Sequence, residues 1–232
     1  MSEIPPDLPT ATTPVPGPGL PWEEPNAGLG SIVPTVARFV ARPIEAFDGM
    51  SLSVDLVRPL AYFVILALVG ACISQVWSFL LFDSLVGLVR PLLGPQFEKL
   101  APLFQKPGAL QLVLGLVAVP LLSLVMLFVW SALVHLFLVL LGGAHRGFAA
   151  TLRVMCYAHT TQLAVVIPGI GGVIGFFWRL ILEIVGLSSA HKVEGWKAAL
   201  AVILPLFLCC VCVIVGAVSF GAALAQALQQ MK

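Results

Sequence analysis

Charged side chains are scarce in this sequence: 12 Lys and Arg and 11 Asp and Glu stand among 232 residues. The two signs nearly cancel, so there is no broad basic field of the kind that draws a protein to nucleic acid, and no nucleic-acid partner is expected. Catalytic signatures are missing as well. No H-E-x-x-H, no G-x-S-x-G and no water-facing pair of carboxylates occurs, so no catalytic residue, cofactor or metal is expected. "PGIGGVIG" has the wrong glycine spacing for a dinucleotide loop. The five cysteines, Cys72, Cys156, Cys209, Cys210 and Cys212, all fall in apolar runs, where thiolate is disfavoured. They read as small packing residues rather than a disulfide framework or a metal site. What the chain has in excess is apolar surface. Hydrophobic residues make up 59% of it and the mean hydropathy is +1.05, which defines an integral membrane protein in contact with the lipid bilayer.

Residues 1–30 contain eight prolines and no Lys or Arg. Such a segment lacks the charged start and apolar run of a signal peptide, and it reads as a disordered, cytoplasmic, Pro-rich tail. Residues 31–56 change pattern. Ile32, Val33, Val36, Phe39, Val40 and Phe47 recur at helical spacing against Arg38, Arg42, Glu45 and Asp48. This predicts an amphipathic helix broken near Pro43 and lying in the membrane interface, with Arg38 and Arg42 at the membrane surface; a helix packed on the protein's own face is the alternative.

Residues 57–228 hold five apolar runs, and crossing roughly 30 Å of hydrocarbon takes about 20 helical residues. Leu60 to Phe82 is one span. Ala109 to Leu141 is too long for one upright span, and Pro120 is expected to divide it. Gly147 to Ile167 and Ile170 to Gly186 are joined by "PGIGG", which is turn chemistry. Ala198 to Leu228, with Pro205 inside it, is the fifth. The fold class is therefore all-α, a polytopic membrane helical bundle of five transmembrane helices with an N-terminal interfacial amphipathic helix. Counting Lys and Arg near the span ends gives eight on the side of the N-terminus against four on the other. That favours a cytoplasmic N-terminus and a C-terminus across the membrane.

The order of these features resembles the Yip domain family, five-span membrane proteins named for interaction with Ypt and Rab GTPases. The resemblance is carried by "LPWEEP" and by "TVARFVARPIEAF" before the first span. It continues with Arg153 and Tyr157 opening the third span, the turn of Pro168, Ile170 and Gly171, and Trp178 leading the fourth. "GL" followed by His191 and a "KA" start to a last span containing Pro205 complete it. It covers about residues 20 to 225. It implies a five-helix fold with a cytoplasmic N-terminus and a non-enzymatic role in shaping the bilayer or recruiting partners. The short tail with "PWE" is similar to the bacterial branch, which implies a bacterial inner membrane and argues against a Rab-type GTPase partner.

Depth along the spans suggests one intramembrane polar layer. His135 and His159 each lie 12 residues from Gly147, and a hairpin centred near Ile170 sets Gln162 opposite Arg179. The layer comprises His135, His159, Thr160, Gln162, Arg179 and Glu183. Ionisable groups at such depth face the bundle interior or a wet cavity, because exposure to lipid costs at least about 2.5 kcal/mol. Arg179 and Glu183, at i and i+4, are spaced to pair; an interfacial Glu183 with a snorkelling Arg179 is the alternative. Gly171 with Gly175, and Gly143 with Gly147, form G-x-x-x-G spacings. These are read as helix-packing faces within the chain or between copies in a homo-oligomer. Two function classes follow: a non-enzymatic membrane organiser or adaptor, and a small transporter or channel that uses the polar layer.

Overall fold

The protein is described by a computed structural model covering residues 19–53, 55–103 and 105–230. Two 3-10 turns, Pro21–Glu23 and Leu29–Ser31, lead into α1 (Ile32–Ala41) and α2 (Pro43–Asp48), with Pro43 marking the expected break. The remaining helices are α3 (Val57–Leu93), α4 (Gln96–Leu100), α5 (Ala109–Leu140), α6 (Gly147–Ala158), α7 (Gly171–His191) and α8 (Gly195–Gln230). No strand occurs among the described residues. Among the described residues, four helices are long and apolar enough to cross a membrane: α3, α5, α7 and the Gly195–Gly221 part of α8.

The third apolar run takes a different form. It is the 12-residue α6 continued by an 8-residue 3-10 helix, His159–Val166. At 1.5 Å per α residue and 2.0 Å per 3-10 residue the pair reaches about 34 Å, still the depth of a bilayer. Every residue from Ala150 to Thr161 is buried, so this run is the axis of the bundle rather than a lipid-facing member. A 3-10 stretch this long is uncommon. Here "HTTQ" favours it locally, because the Thr160 and Thr161 hydroxyls donate to the carbonyls of Tyr157 and Ala158, three residues back. Non-helical backbone at membrane depth is tolerated where protein surrounds it. Around the axis α3 packs on α5, α6 and the 3-10 segment, α5 on α6 and α8, and α7 on α6, α8 and the 3-10 segment. The shared core includes Tyr62, Leu66, Val134, Leu138, Met155 and Leu182.

Three sequence expectations are corrected. Pro120 does not divide its run, since α5 is continuous over 32 residues; in an apolar helix the single lost hydrogen bond is accommodated. The helix of the first span does not stop at Phe82: α3 continues through Asp83 and Arg90 to a C-cap at Gly94, whose φ of +52° suits glycine. Disorder of the tail does not extend to residue 30: Leu20 and Trp22 are buried. The Trp22 indole N–H donates to the Arg58 carbonyl at 2.7 Å, and the Trp22 backbone N–H donates to Thr35 Oγ1 at 3.0 Å. Arg58 in turn donates to the carbonyls of Trp22, Pro25 and Ala27. Expected disorder of residues 1–18 falls outside the described residues.

α1 and α2 rest on the bundle through Phe39, Ala46 and Phe47. Phe47 sits against Gly186 of α7, where a Cβ would lie 2.7 Å from the phenyl ring. Beside it Asp48 accepts from Ser189 Oγ and from Lys192 Nζ. The Ser189 hydroxyl and then the lysine hold its carboxyl below the usual range against the opposing effect of burial. This contact is therefore complete at neutral pH and is lost as pH falls through the lowered value.

Candidate functional site

The axial segment carries most of the polar groups, and the structure sorts them into three clusters rather than one layer. The first is a buried ion pair. Arg153, on α6, is 2% exposed at its side chain, and its Nη1 donates to Glu23 Oε1 at 2.5 Å. Its Nη2 donates to the carbonyl and hydroxyl of Ser53 and to the carbonyl of Asp55. Tyr157, one turn on, donates its hydroxyl to the same Glu23 oxygen at 2.9 Å, while Ser51 N–H donates to the other at 2.7 Å. A guanidinium fork with a carboxylate and backbone carbonyls is a charge-assisted arrangement that fixes orientation as well as charge. It fastens the Pro-Trp-Glu turn and the loop before α3 to the bundle axis. Arg153, Tyr157 and "PWE" are visible in the sequence as separate features; their contact is not.

The second cluster surrounds a cavity of about 360 Å³. His159, Gln162, Arg179 and Glu183 line it together with Trp130 and Ser123. Four of the six expected layer residues are thus brought to one place. Arg179 Nε donates to Glu183 Oε1 at 2.7 Å, and Trp130 Nε1 donates to Glu183 Oε2 at 3.1 Å. Glu183 is 1% exposed at its side chain and Arg179 30%, so the carboxylate is the more deeply enclosed partner. Glu183 is therefore enclosed by protein.

Thr160 and His135 are turned elsewhere. Thr160 Oγ1 lies 2.7 Å from the Tyr62 hydroxyl, across from the first cluster. His135 belongs to a third cluster near the α5–α6 loop. There its Nδ1 is 2.8 Å from Thr151 Oγ1, which is 2.9 Å from His191 Nε2. Because His191 Nδ1 accepts the Arg146 backbone N–H, a neutral His191 carries its proton on Nε2 and donates to Thr151. Thr151 then donates to His135. His135 and His159 therefore fall in different clusters, and the six residues do not form one connected layer. Thr151 and His191 were not singled out as site residues: a lone Thr gives no signal, and His191 stands at the far end of a helix from the turn used to count depth.

The glycine faces also divide. Gly171 and Gly175 face the 3-10 segment: a Cβ on Gly171 would lie 1.9 Å from the Ala164 carbonyl oxygen, and one on Gly175 would lie 2.8 Å from that of Thr161. That face is occupied within one chain rather than open to a second copy. Gly143 and Gly147 share no helix face. Gly147 meets nothing within 4 Å of a built Cβ, and its φ of +74° is what calls for glycine. At the surface, Arg42 pairs with Glu45 at 3.4 Å, and Arg38 Nη1 donates to the Gly19 carbonyl at 2.8 Å. No group of three His, Cys, Asp or Glu suited to a metal occurs among the described residues.

The coupling of Arg179 and Glu183 is open to test. Arg179→Met strands the enclosed carboxylate and is expected to cost about 3 kcal/mol. Glu183→Met leaves a guanidinium that reaches the cavity, and it should cost less. The double replacement is expected to be milder than Arg179→Met alone. Unfolding in detergent measures all three, and strictly additive losses would show that the pair is not coupled.

Four long apolar helices wrapped around an axis that carries buried ionisable side chains define a polytopic helical membrane protein. Residues 37–217 match the Yip1 domain, and the chain belongs to that family. No curated protein and no solved structure matches it. Glu23 lies before the matched segment, whereas Arg153 and Tyr157 lie inside it.

Proposed function

We propose that the protein is a non-enzymatic membrane organiser whose α1 and α2 lie in the surface of one leaflet, anchored to the spans beneath them. One observation carries this reading: the helix pair is apolar on two sides. Phe39 and Phe47 rest on the bundle, while Leu29, Val33, Val40 and Ile44 are between 56% and 72% exposed. An exposed apolar stripe of this kind, beside a cation such as Arg42, suits insertion at the depth of the headgroups. Bound rigidly to the spans through Glu23 and Arg153, an inserted helix would occupy area in one leaflet only. The excess of Lys and Arg at this end supports a cytoplasmic N-terminus. The "PWE" segment, similar to the bacterial branch of the family, supports a bacterial inner membrane.

The test uses the full chain in vesicles, with an environment-sensitive fluorophore at Val40. It is expected to be quenched by nitroxide-labelled lipid and shielded from aqueous iodide. Arg42→Glu should weaken surface association by about 1 kcal/mol, a factor of roughly five, in anionic vesicles and much less in neutral ones. Free quenching by iodide would remove the basis for the leaflet reading. A small transporter or channel is the second reading, supported by the cavity beside Arg179. Flux of ions or protons across the same vesicles is its measurement.

A further inference from the structure

The cavity lined by α3, α5, α7, α8 and the 3-10 segment has unused hydrogen-bonding capacity, and its strongest donors are on Arg179. Both oxygens of Glu183 are engaged, by Arg179 Nε and Trp130 Nε1. The two terminal nitrogens of Arg179 make no hydrogen bond among the described residues, and Arg179 is 30% exposed at its side chain. His159, only 6% exposed, lines the same space, although its Nε2 is itself sealed off and has no hydrogen-bond partner among the described residues. The edge that Arg179 offers is a donor fork, suited to an oxyanion rather than to a cation.

The other walls are mainly apolar, with Gln162 and Ser123 as the remaining polar groups. Phe63, Leu127, Leu180 and Leu206 line the cavity, and Met126 and Phe176, 54% and 45% exposed, stand where α5 and α7 face outward. A site of about 360 Å³ is at the small end of ligand cavities, enough for a headgroup and the start of a chain. A free phosphate would leave the apolar walls unused, and a neutral lipid would leave the guanidinium fork unpaired.

We infer that this cavity binds an acidic amphiphile, a lipid whose phosphodiester or carboxylate accepts from the Arg179 fork while its chain lies along Leu206, Met126 and Phe176. The inference does not rest on the leaflet reading of α1 and α2, which involves other elements.

The full-length protein in non-ionic maltoside micelles is irradiated with diazirine-tagged phosphatidylglycerol, and the adducts are mapped. Peptides carrying Met126 and Phe176 are expected to be labelled roughly tenfold more than by tagged diacylglycerol, the discrimination that one charge-assisted contact supplies. Competition by untagged phosphatidylglycerol or by oleate supports the site and tells a phosphodiester source from a carboxylate one. Arg179→Met/Glu183→Met removes the fork without stranding a charge, and labelling should fall to the diacylglycerol level. Leu206→Trp fills the cavity without touching the ion pair and should do the same. Equal labelling by diacylglycerol, displacement by inorganic phosphate alone, or undiminished labelling in whichever of these variants remains folded would overturn the inference.

Discussion

Arg153→Met is expected to lower stability by about 3 to 5 kcal/mol, the range for breaking one side of a buried pair. The reason lies in what remains. Without the guanidinium, the Glu23 carboxylate, 10% exposed at its side chain, keeps only the Tyr157 hydroxyl and the Ser51 N–H as donors. The carbonyls of Ser53 and Asp55 lose their shared partner. Arg153→Lys should fall between the two, since an ammonium restores the charge but not the planar fork. Glu23→Gln keeps an oxygen near Nη1 and should cost less than Glu23→Ala. Hydrogen exchange locates the effect: in Arg153→Met, amides of the Pro-Trp-Glu turn and of α1 should lose protection before those of the spans. Unchanged protection and an unchanged melting temperature would show that the N-terminal segment is held by Trp22 and the α2 contacts alone.

Gly171→Ala is expected to cost more than the 1 to 3 kcal/mol typical of overpacking. The added methyl would lie 1.9 Å from the Ala164 carbonyl oxygen and 2.8 Å from its carbon. These are backbone atoms of the axial segment, with no rotamer by which to move aside. Gly172 supplies the control, since a methyl there meets nothing within 4 Å. Gly172→Ala should be neutral or stabilising by up to about 1 kcal/mol, as replacing glycine in a helix usually is. Equal melting temperatures for the two variants would refute the close approach of α7 to the 3-10 segment.

The contrast between these sites shows what a sequence makes visible. The Arg179 and Glu183 pair could be read directly because both partners sit one turn apart on one helix, so spacing alone sets their contact. The tight turn at Pro168 and the helical character of the long runs are equally local. Glu23 and Arg153 are 130 positions apart, and nothing in either neighbourhood names the other; only the fold brings a Pro-rich segment onto the axis. Depth counting placed His135 and His159 at one level, as helix rise allows, but rise says nothing about which side of a helix faces which neighbour. Hydropathy had a similar limit at α6. Lipid and a protein interior are both apolar, so the run from Gly147 to Ile167 reads as a span whether acyl chains or other helices surround it.

The lengths of α3 and α5 bear on where the protein can reside. At 1.5 Å per residue, the 37 residues of α3 and the 32 of α5 measure about 56 and 48 Å, against roughly 30 Å of hydrocarbon. The two helices pack on each other, and past Phe82 the surface of α3 is still greasy: Leu85, Leu88 and Leu92 are 55% to 78% exposed, as are Leu110 and Val113 at the start of α5. A paired rod with so much apolar length outruns a thin bilayer, and its surplus is relieved by tilting, by thickening the surrounding lipid or by moving to a thicker membrane, each at a modest cost per ångström of mismatch. The α3–α5 hairpin thus acts as a ruler, giving the protein a preference for bilayer thickness that is independent of any ligand or partner.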